Sequence, residues 1–206
     1  VDLETLDLLV DHHITFTILA PRQAKAFRKL GESSFTALTD KAIDTKRPYS
    51  VHLPSGRSIV VFFYDGDISQ SVAFNGLLND GAKFANRLIN SFDASSHETQ
   101  LVHIATDGET YGHHHKQGEM ALAYCLDFIE RSKDCELTNY GEFLGKFVPQ
   151  YEALIHENSS WSCVHGVERW RNNCGCNTGG RADWNQEWRR PLREALDWLR
   201  DDLTQI

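Results

Sequence analysis

Hydrophobic positions along the chain alternate between two periods. Leu3, Leu6, Leu9 and Val10 recur at helical spacing, which predicts an amphipathic helix over Asp2–His12 with Asp2 as its N-terminal acid. Ile14–Ala20 is a run of β-branched and apolar residues that reads as a buried strand stopped by Pro21. Pro21 also suits a first helical position, so a helix is predicted through about Leu30. From Gly31 to Gly56 the periodicity fades into Ser, Thr, Asp and two prolines, and a functional loop or a small hairpin is expected there. Ser58–Tyr64 is almost all Val, Ile and Phe, a strand closed by Asp65-Gly66-Asp67. Helical stretches follow around Ser69–Leu78 and Ala82–Phe92, then a strand at Leu101–Thr106. Gln117–Ser132 carries Met120, Leu122, Ala123, Leu126 and Ile129 on one helical face, Cys135–Thr138 reads as a short strand, and Tyr140–Phe147 adds a turn or two of helix. The tail Trp184–Leu203 returns to helical spacing through Trp188, Leu192, Ala195, Leu196 and Leu199. Strands alternating with helices predict an α/β fold with parallel pairing and right-handed crossovers, as a sheet or a barrel.

Length and charge narrow this picture. The 206 residues, 41% of them hydrophobic, suffice for one large domain or two small ones with a real core. A formal net charge of -8 with no basic run argues against a nucleic-acid partner and favours a neutral or weakly charged ligand. No apolar segment approaches the roughly 20 residues of a membrane span, and no signal-peptide pattern opens the chain, so a cytoplasmic protein is expected. The start at Val1, with Met120 the only methionine, suggests a piece of a longer protein. Five cysteines leave one unpaired in any disulfide scheme, which favours thiols or a metal site. Composition shifts after about His156, where all five tryptophans and three cysteines gather. The expected division is residues 1–156 as the α/β part and 157–206 as a Trp- and Cys-rich loop with a helical segment.

The candidate chemistry centres on Leu101–His115, where an apolar run ends in Asp107 and two glycines bring Glu109, Tyr111 and three histidines together. Asp65 and Asp107 both directly follow strands, the place where parallel α/β folds bind ligands; for Asp65 the plain alternative is a turn-forming aspartate before Gly66. Asp107 and Glu109, two apart, would face one cleft in extended backbone, where repulsion and partial burial would keep one protonated as a general acid. His113, His114 and His115 are adjacent and diverge, so at most one or two would serve a metal beside Asp107, and no metal is required there. Cys163, His165, Cys174 and Cys176 form unusually tight C-x-H and C-x-C pairs and are the candidate zinc ligands. Trp188 and Trp198 read as core residues of the helical tail. Trp161 and Trp170 lie beside His165 and Arg169 in irregular chain, where an exposed indole offers a flat face to a sugar ring.

Asp107-Gly108-Glu109-Thr110-Tyr111-Gly112-His113 resembles the D-G-E-x-(F/Y)-G segment of glycoside hydrolase family 57, a family of α-glucan-active enzymes. Ser160-Trp161-Ser162 with Gly166 and Trp170 is similar to the family's later S-W-G-x-x-G-x-x-x-x-W segment. Cys163 and Cys174-Gly175-Cys176 depart from the better-studied members and look like a bacterial subgroup that carries a domain of unknown function. Val1–Leu6 and Phe16–Pro21 are similar to the chain that follows the family's nucleophile. The resemblance implies the second half of an incomplete (β/α)7 barrel followed by a C-terminal helical, Trp-rich segment. It also implies a retaining glycosidase or transglycosidase acting on an α-glucan or maltooligosaccharide, with Asp107 as general acid/base. Glu109 and His113 would assist Asp107, while Trp161, Trp170, His165 and Asp65 would contact the glucan. No cofactor is required by this reading. The nucleophilic Glu is expected upstream of Val1, so that residues 1–206 alone would be inactive and would either dimerise through an exposed barrel edge or be marginally stable. The rival readings are a metal-dependent carbohydrate deacetylase using Asp107 with histidines, and a non-catalytic glycan-binding or zinc-stabilised module.

Overall fold

The computed structural model describes residues 1–39, 41–176, 180, 181 and 183–205. Helix α1 (Leu3–Asp11) begins where the Asp2 carboxylate accepts the Thr5 N–H at 2.7 Å, and its Leu6 is buried. Strand β1 (Phe16–Leu19) follows, as expected. The predicted helix from Pro21 is confined to one 3-10 turn at Pro21–Gln23, after which β2 (Ala24–Lys29) is extended. Tertiary pairing decides this: Ala24 and Ala26 are buried on either side of exposed Lys25, and the strand ladder outweighs the helix preference of Ala, Lys and Arg. The aperiodic stretch supplies β3 (Thr36–Ala37) and β4 (Pro48–His52), and β4 forms a hairpin with β5 (Ser58–Phe63). Helices α2 (Gly66–Phe74), α3 (Gly81–Ile89), α4 (Gly118–Arg131) and α5 (Tyr140–Lys146) lead to β6 (Tyr151–Ile155), and α6 (Glu168–Arg171) and α7 (Arg189–Leu203) complete the chain. Cys135–Thr138 is irregular rather than a strand.

The six strands form one sheet in the order β1-β5-β4-β6-β2-β3. Only β1–β5 and β4–β6 are parallel; β4–β5, β2–β6 and β2–β3 are antiparallel. The sheet is therefore mixed where parallel pairing was expected, because β4 and β5 are joined by a short turn that needs no crossover helix. Ile59, Val61 and Phe63 of β5 point to one face, where they join Leu6, Tyr49, Val51 and Ile155 in the main core. A second core fills the space between α2, α3 and α4, with Ile68, Val72, Phe84, Ala85 and Cys125 fully enclosed. The close α3–α4 approach depends on Gly81, where a Cβ would lie 2.9 Å from the Ala121 carbonyl. No helix among the described residues is long and apolar enough to cross a membrane. Trp188 and Trp198 of the tail, expected in a core, are 58% and 69% exposed. The helical spacing does define a face of α7, but Leu192, Leu196, Leu199 and Leu203 on that helix are exposed as well.

Leu101–Thr106, predicted as a strand, carries no regular secondary structure and joins no ladder. It crosses the C-terminal end of β5, held by single bonds: Leu101 N–H to the Lys46 carbonyl at 2.8 Å, Asp65 N–H to the His103 carbonyl at 2.9 Å, and Ala105 N–H to Ser69 Oγ at 3.1 Å. Its anchor is His103, whose ring meets Phe62 at 5.8 Å. The Thr45 carbonyl can only accept, so His103 Nε2, 3.0 Å away, carries the hydrogen, and Nδ1 accepts the Tyr140 hydroxyl at 2.9 Å. Burial keeps the Tyr140 phenol protonated, pushing it up to about 12. Burial likewise pushes the His103 imidazole down to about 4 from 6.5, against the opposing pull of the Thr45 carbonyl and the Asp65 charge.

A depressed folded-state value means that the unfolded chain binds the extra proton first as pH falls. Stability from a neutral His103 is complete above 6.5 and is lost between 6.5 and about 4, by at most about 3 kcal/mol. Urea unfolding across this range should show that loss in the wild type and a flatter profile in His103→Gln. Identical slopes in the two proteins would remove His103 as the acid-sensitive anchor.

Candidate active site

The crossing segment ends at Asp107, and the backbone then makes one 3-10 turn over Gly108–Thr110. Thr110 N–H donates to the Asp107 carbonyl at 3.0 Å, and the Thr110 side chain is buried. This turn replaces the extended run that would have aimed Asp107 and Glu109 into one cleft. Asp107 itself keeps extended backbone, at φ -64° and ψ 143°, whereas Glu109 lies within the turn. Both carboxylates are exposed, without the partial burial expected of them.

The loop around them is nonetheless fixed. Thr106 Oγ1 donates to the Tyr111 oxygen at 3.0 Å. Gly112, at φ 128°, turns the chain so that the His113 and His114 N–H groups both donate to the Glu109 carbonyl, at 3.1 and 2.9 Å. His115 Nε2 lies 2.8 Å from the Ala73 carbonyl, which ties the loop to α2 and occupies that ring nitrogen. Gly118 closes the loop at the start of α4 with its backbone against Leu78 and Tyr111. The result is a rigid platform that presents Asp107 and Glu109 to solvent. The second strand-end aspartate, Asp65, serves the helix instead, since its carboxylate accepts the Ile68 N–H at 2.9 Å as the N-cap of α2.

The remaining candidates lie on the segment after β6. Ser159 is bonded through its backbone to Val1, and its hydroxyl accepts Gln23 Nε2 at 3.1 Å. Arg22 donates to the Trp161 carbonyl. Arg22 and Gln23, which the sequence did not mark, thus dock this segment onto the turn after β1; Pro21, which breaks the strand there, was the available signal. A cavity of about 370 Å³ opens beside them, lined by Arg22, Gln23, Ser160, Cys163, His165 and Gly166 among others. Trp161 and Trp170 are 59% and 52% exposed. Among the described residues no hydrogen bond or ion pair joins this segment to the Asp107 loop.

Cys163, His165, Cys174 and Cys176 come together, with their four donor atoms all within 4.8 Å of one another. Among the described residues no other group of His, Cys, Asp and Glu converges in this way, and neither Asp107 nor His113–His115 belongs to it. Burial would push the Cys163 thiol up, but the His165 N–H and ring and the neighbouring thiols bring it down to about 6. Hydrogen bonding to Cys163, then burial, pushes Cys176 up to about 11.

Residues 17–156 match the model of glycosyl hydrolase family 57, and residues 184–206 match that of a domain of unknown function, DUF3536. No curated protein sequence matches the chain. Among solved structures, the chain is similar to a maltose-forming amylase of exo type from Pyrococcus sp. ST04, with a TM-score of 0.62, 19% identity, and coverage of 90% of this chain and 31% of that one. It is also similar to the 4-alpha-glucanotransferase from Thermococcus litoralis, with a TM-score of 0.54, 18% identity, and coverage of 77% of this chain and 23% of that one. At these identities the likeness is one of fold, and the chain spans less than a third of either relative.

The segment after β6 turns at Gly166, whose φ is 62° and whose added Cβ would meet the Asn158 carbonyl oxygen at 2.1 Å. Gly166→Ala should therefore lower stability by about 1–3 kcal/mol in thermal or urea unfolding. Gly108→Ala, with open space around it, should change stability by no more than about 0.5 kcal/mol. Equal effects of the two substitutions would contradict the tight turn.

Proposed function

Because the chain belongs to glycosyl hydrolase family 57, we propose that it is part of a retaining glycosidase or transglycosidase acting on α-glucans, with Asp107 as the general acid/base. The observation that carries this reading is the D-G-E-T-Y-G-H loop: a carboxylate held on a platform fixed through Thr106, Gly112, His115 and Gly118, yet open to a substrate. The family match and the fold of the two α-glucan-active relatives support it.

In this reading the nucleophile is a glutamate N-terminal to Val1, placed about 5–5.5 Å from Asp107, as a double displacement with retention demands. The glutamate attacks the anomeric carbon while Asp107 gives its proton to the departing glycosidic oxygen. Asp107 then takes a proton from the incoming water or sugar hydroxyl, which displaces the glutamate. Hydrolysis and transfer share every step except the identity of that acceptor. Glu109 and His113 flank Asp107 and assist in positioning it. Trp161 and Trp170 offer stacking faces to sugar rings, whereas the Asp65 carboxylate is engaged by α2 and His165 Nδ1 faces thiols.

The test uses the chain extended upstream, assayed on maltooligosaccharides. Asp107→Asn should lower kcat by about 10²–10⁴-fold. The loss should be much smaller on aryl glycosides whose leaving group needs no proton. Equal activity of wild type and variant would refute the assignment of Asp107. Glucan binding without any turnover in either protein would favour a non-catalytic glycan-binding module.

A further inference from the structure

We propose that Cys163, His165, Cys174 and Cys176 hold one Zn²⁺ in a closed, structural tetrahedral site. Cys163 Sγ and Cys176 Sγ are 3.5 Å apart, and His165 Nδ1 lies 3.6 Å from the first and 3.3 Å from the second. Tetrahedral zinc with Zn–S near 2.3 Å and Zn–N near 2.0 Å needs S···S and S···N separations of roughly 3.8 and 3.6 Å. The three contacts match these edges to within about 0.3 Å. They are far too long for a disulfide, whose sulfurs stand about 2.0 Å apart.

The donor set selects the metal. Three thiolates and an imidazole are soft to borderline ligands, which suit zinc and exclude calcium or magnesium, whose sites are built from oxygen. Four protein ligands fill a tetrahedron and leave no open position, so the ion is structural. Its binding releases the thiol protons to solvent, with no change of oxidation state. Three thiolates around Zn²⁺ leave one negative charge, and the Arg189 guanidinium lies 3.8 Å from Cys174 Sγ to offset it.

The surrounding chain needs such a staple. Of the described residues in 157–176, only Ser160, Cys163 and Gly166 are buried, too little to hold the segment by apolar packing. Cys163 is fixed from the sheet side, where its N–H donates to Ser160 Oγ at 3.2 Å and its carbonyl accepts Gly166 N–H at 3.0 Å. Cys174 and Cys176 belong to the far side, where Gln186 bonds to the Cys176 carbonyl and to Asn173. The ion thus joins the two halves of the strap that bears Trp161 and Trp170, and ties both to the approach of α7. This holds whether or not the protein acts on glucans.

The experiment is metal analysis of the full 206-residue chain purified under reducing conditions without chelator. The wild type should carry about one zinc per chain, Cys163→Ser and Cys176→Ser about tenfold less, and Cys135→Ser, outside the cluster, as much as wild type. To cover a serine variant that fails to fold, the wild type is also refolded with Co²⁺. Tetrahedral d–d bands and thiolate-to-cobalt charge transfer should appear and vanish on adding one equivalent of zinc. Full zinc retention in Cys163→Ser, no thiolate–cobalt bands, iron or copper in place of zinc, or a Cys163–Cys176 disulfide in the mass spectrum would each overturn the assignment.

Discussion

The arrangement of the site depends on one backbone hydrogen bond, from Asp65 N–H at the end of β5 to the carbonyl of His103. It joins the most apolar strand of the sheet to the segment that leads into Asp107. Around it, the Asp65 carboxylate caps α2, Ser69 Oγ accepts the Ala105 N–H, and the His103 ring spans Thr45 and Tyr140. Without a strand ladder of its own, Leu101–Thr106 is positioned by these few polar contacts, each worth about 1 kcal/mol net, together with Val102 and Ile104 packed against the second core. A site built this way inherits its precision from the rigid end of β5.

Elements whose signal is local are legible in the sequence. Asp2 announces α1, the Val/Ile/Phe run announces β5, and the apolar face from Met120 to Ile129 announces α4. Ala24–Lys29 misleads because its residues favour helix in isolation, and pairing with β3 and with β6, more than a hundred residues away, makes it extended. Leu101–Thr106 has the composition of a strand, but no local pattern says whether such an apolar run joins a ladder, and this one does not. Trp188 and Trp198 show the limit of periodicity, which reports that a helix has a face and not whether anything covers it.

The candidate chemistry divides in the same way. The D-G-E-T-Y-G-H loop stands out by its residue types, and the structure adds the reason it is rigid: Gly112, His115 and Gly118 pin it from three sides. The 3-10 turn that separates Asp107 from Glu109 could not be foreseen from their spacing, which suits extended backbone equally well. Cys163, His165, Cys174 and Cys176 are visible as tight pairs, while their convergence depends on the turn at Gly166. The Asp107 loop and the aromatic strap are thus separate pieces, one fixed by the end of a strand and the other by the turn after β1.

The most direct measurement is a crystal structure of the upstream-extended protein, carrying Asp107→Asn to prevent turnover, with a maltooligosaccharide bound. The glycosidic oxygen should lie about 2.6–3.2 Å from the side chain at position 107, with a sugar ring against Trp161 or Trp170. A well-ordered glucan whose glycosidic oxygens all lie beyond reach of that side chain would contradict the assignment of the acid/base.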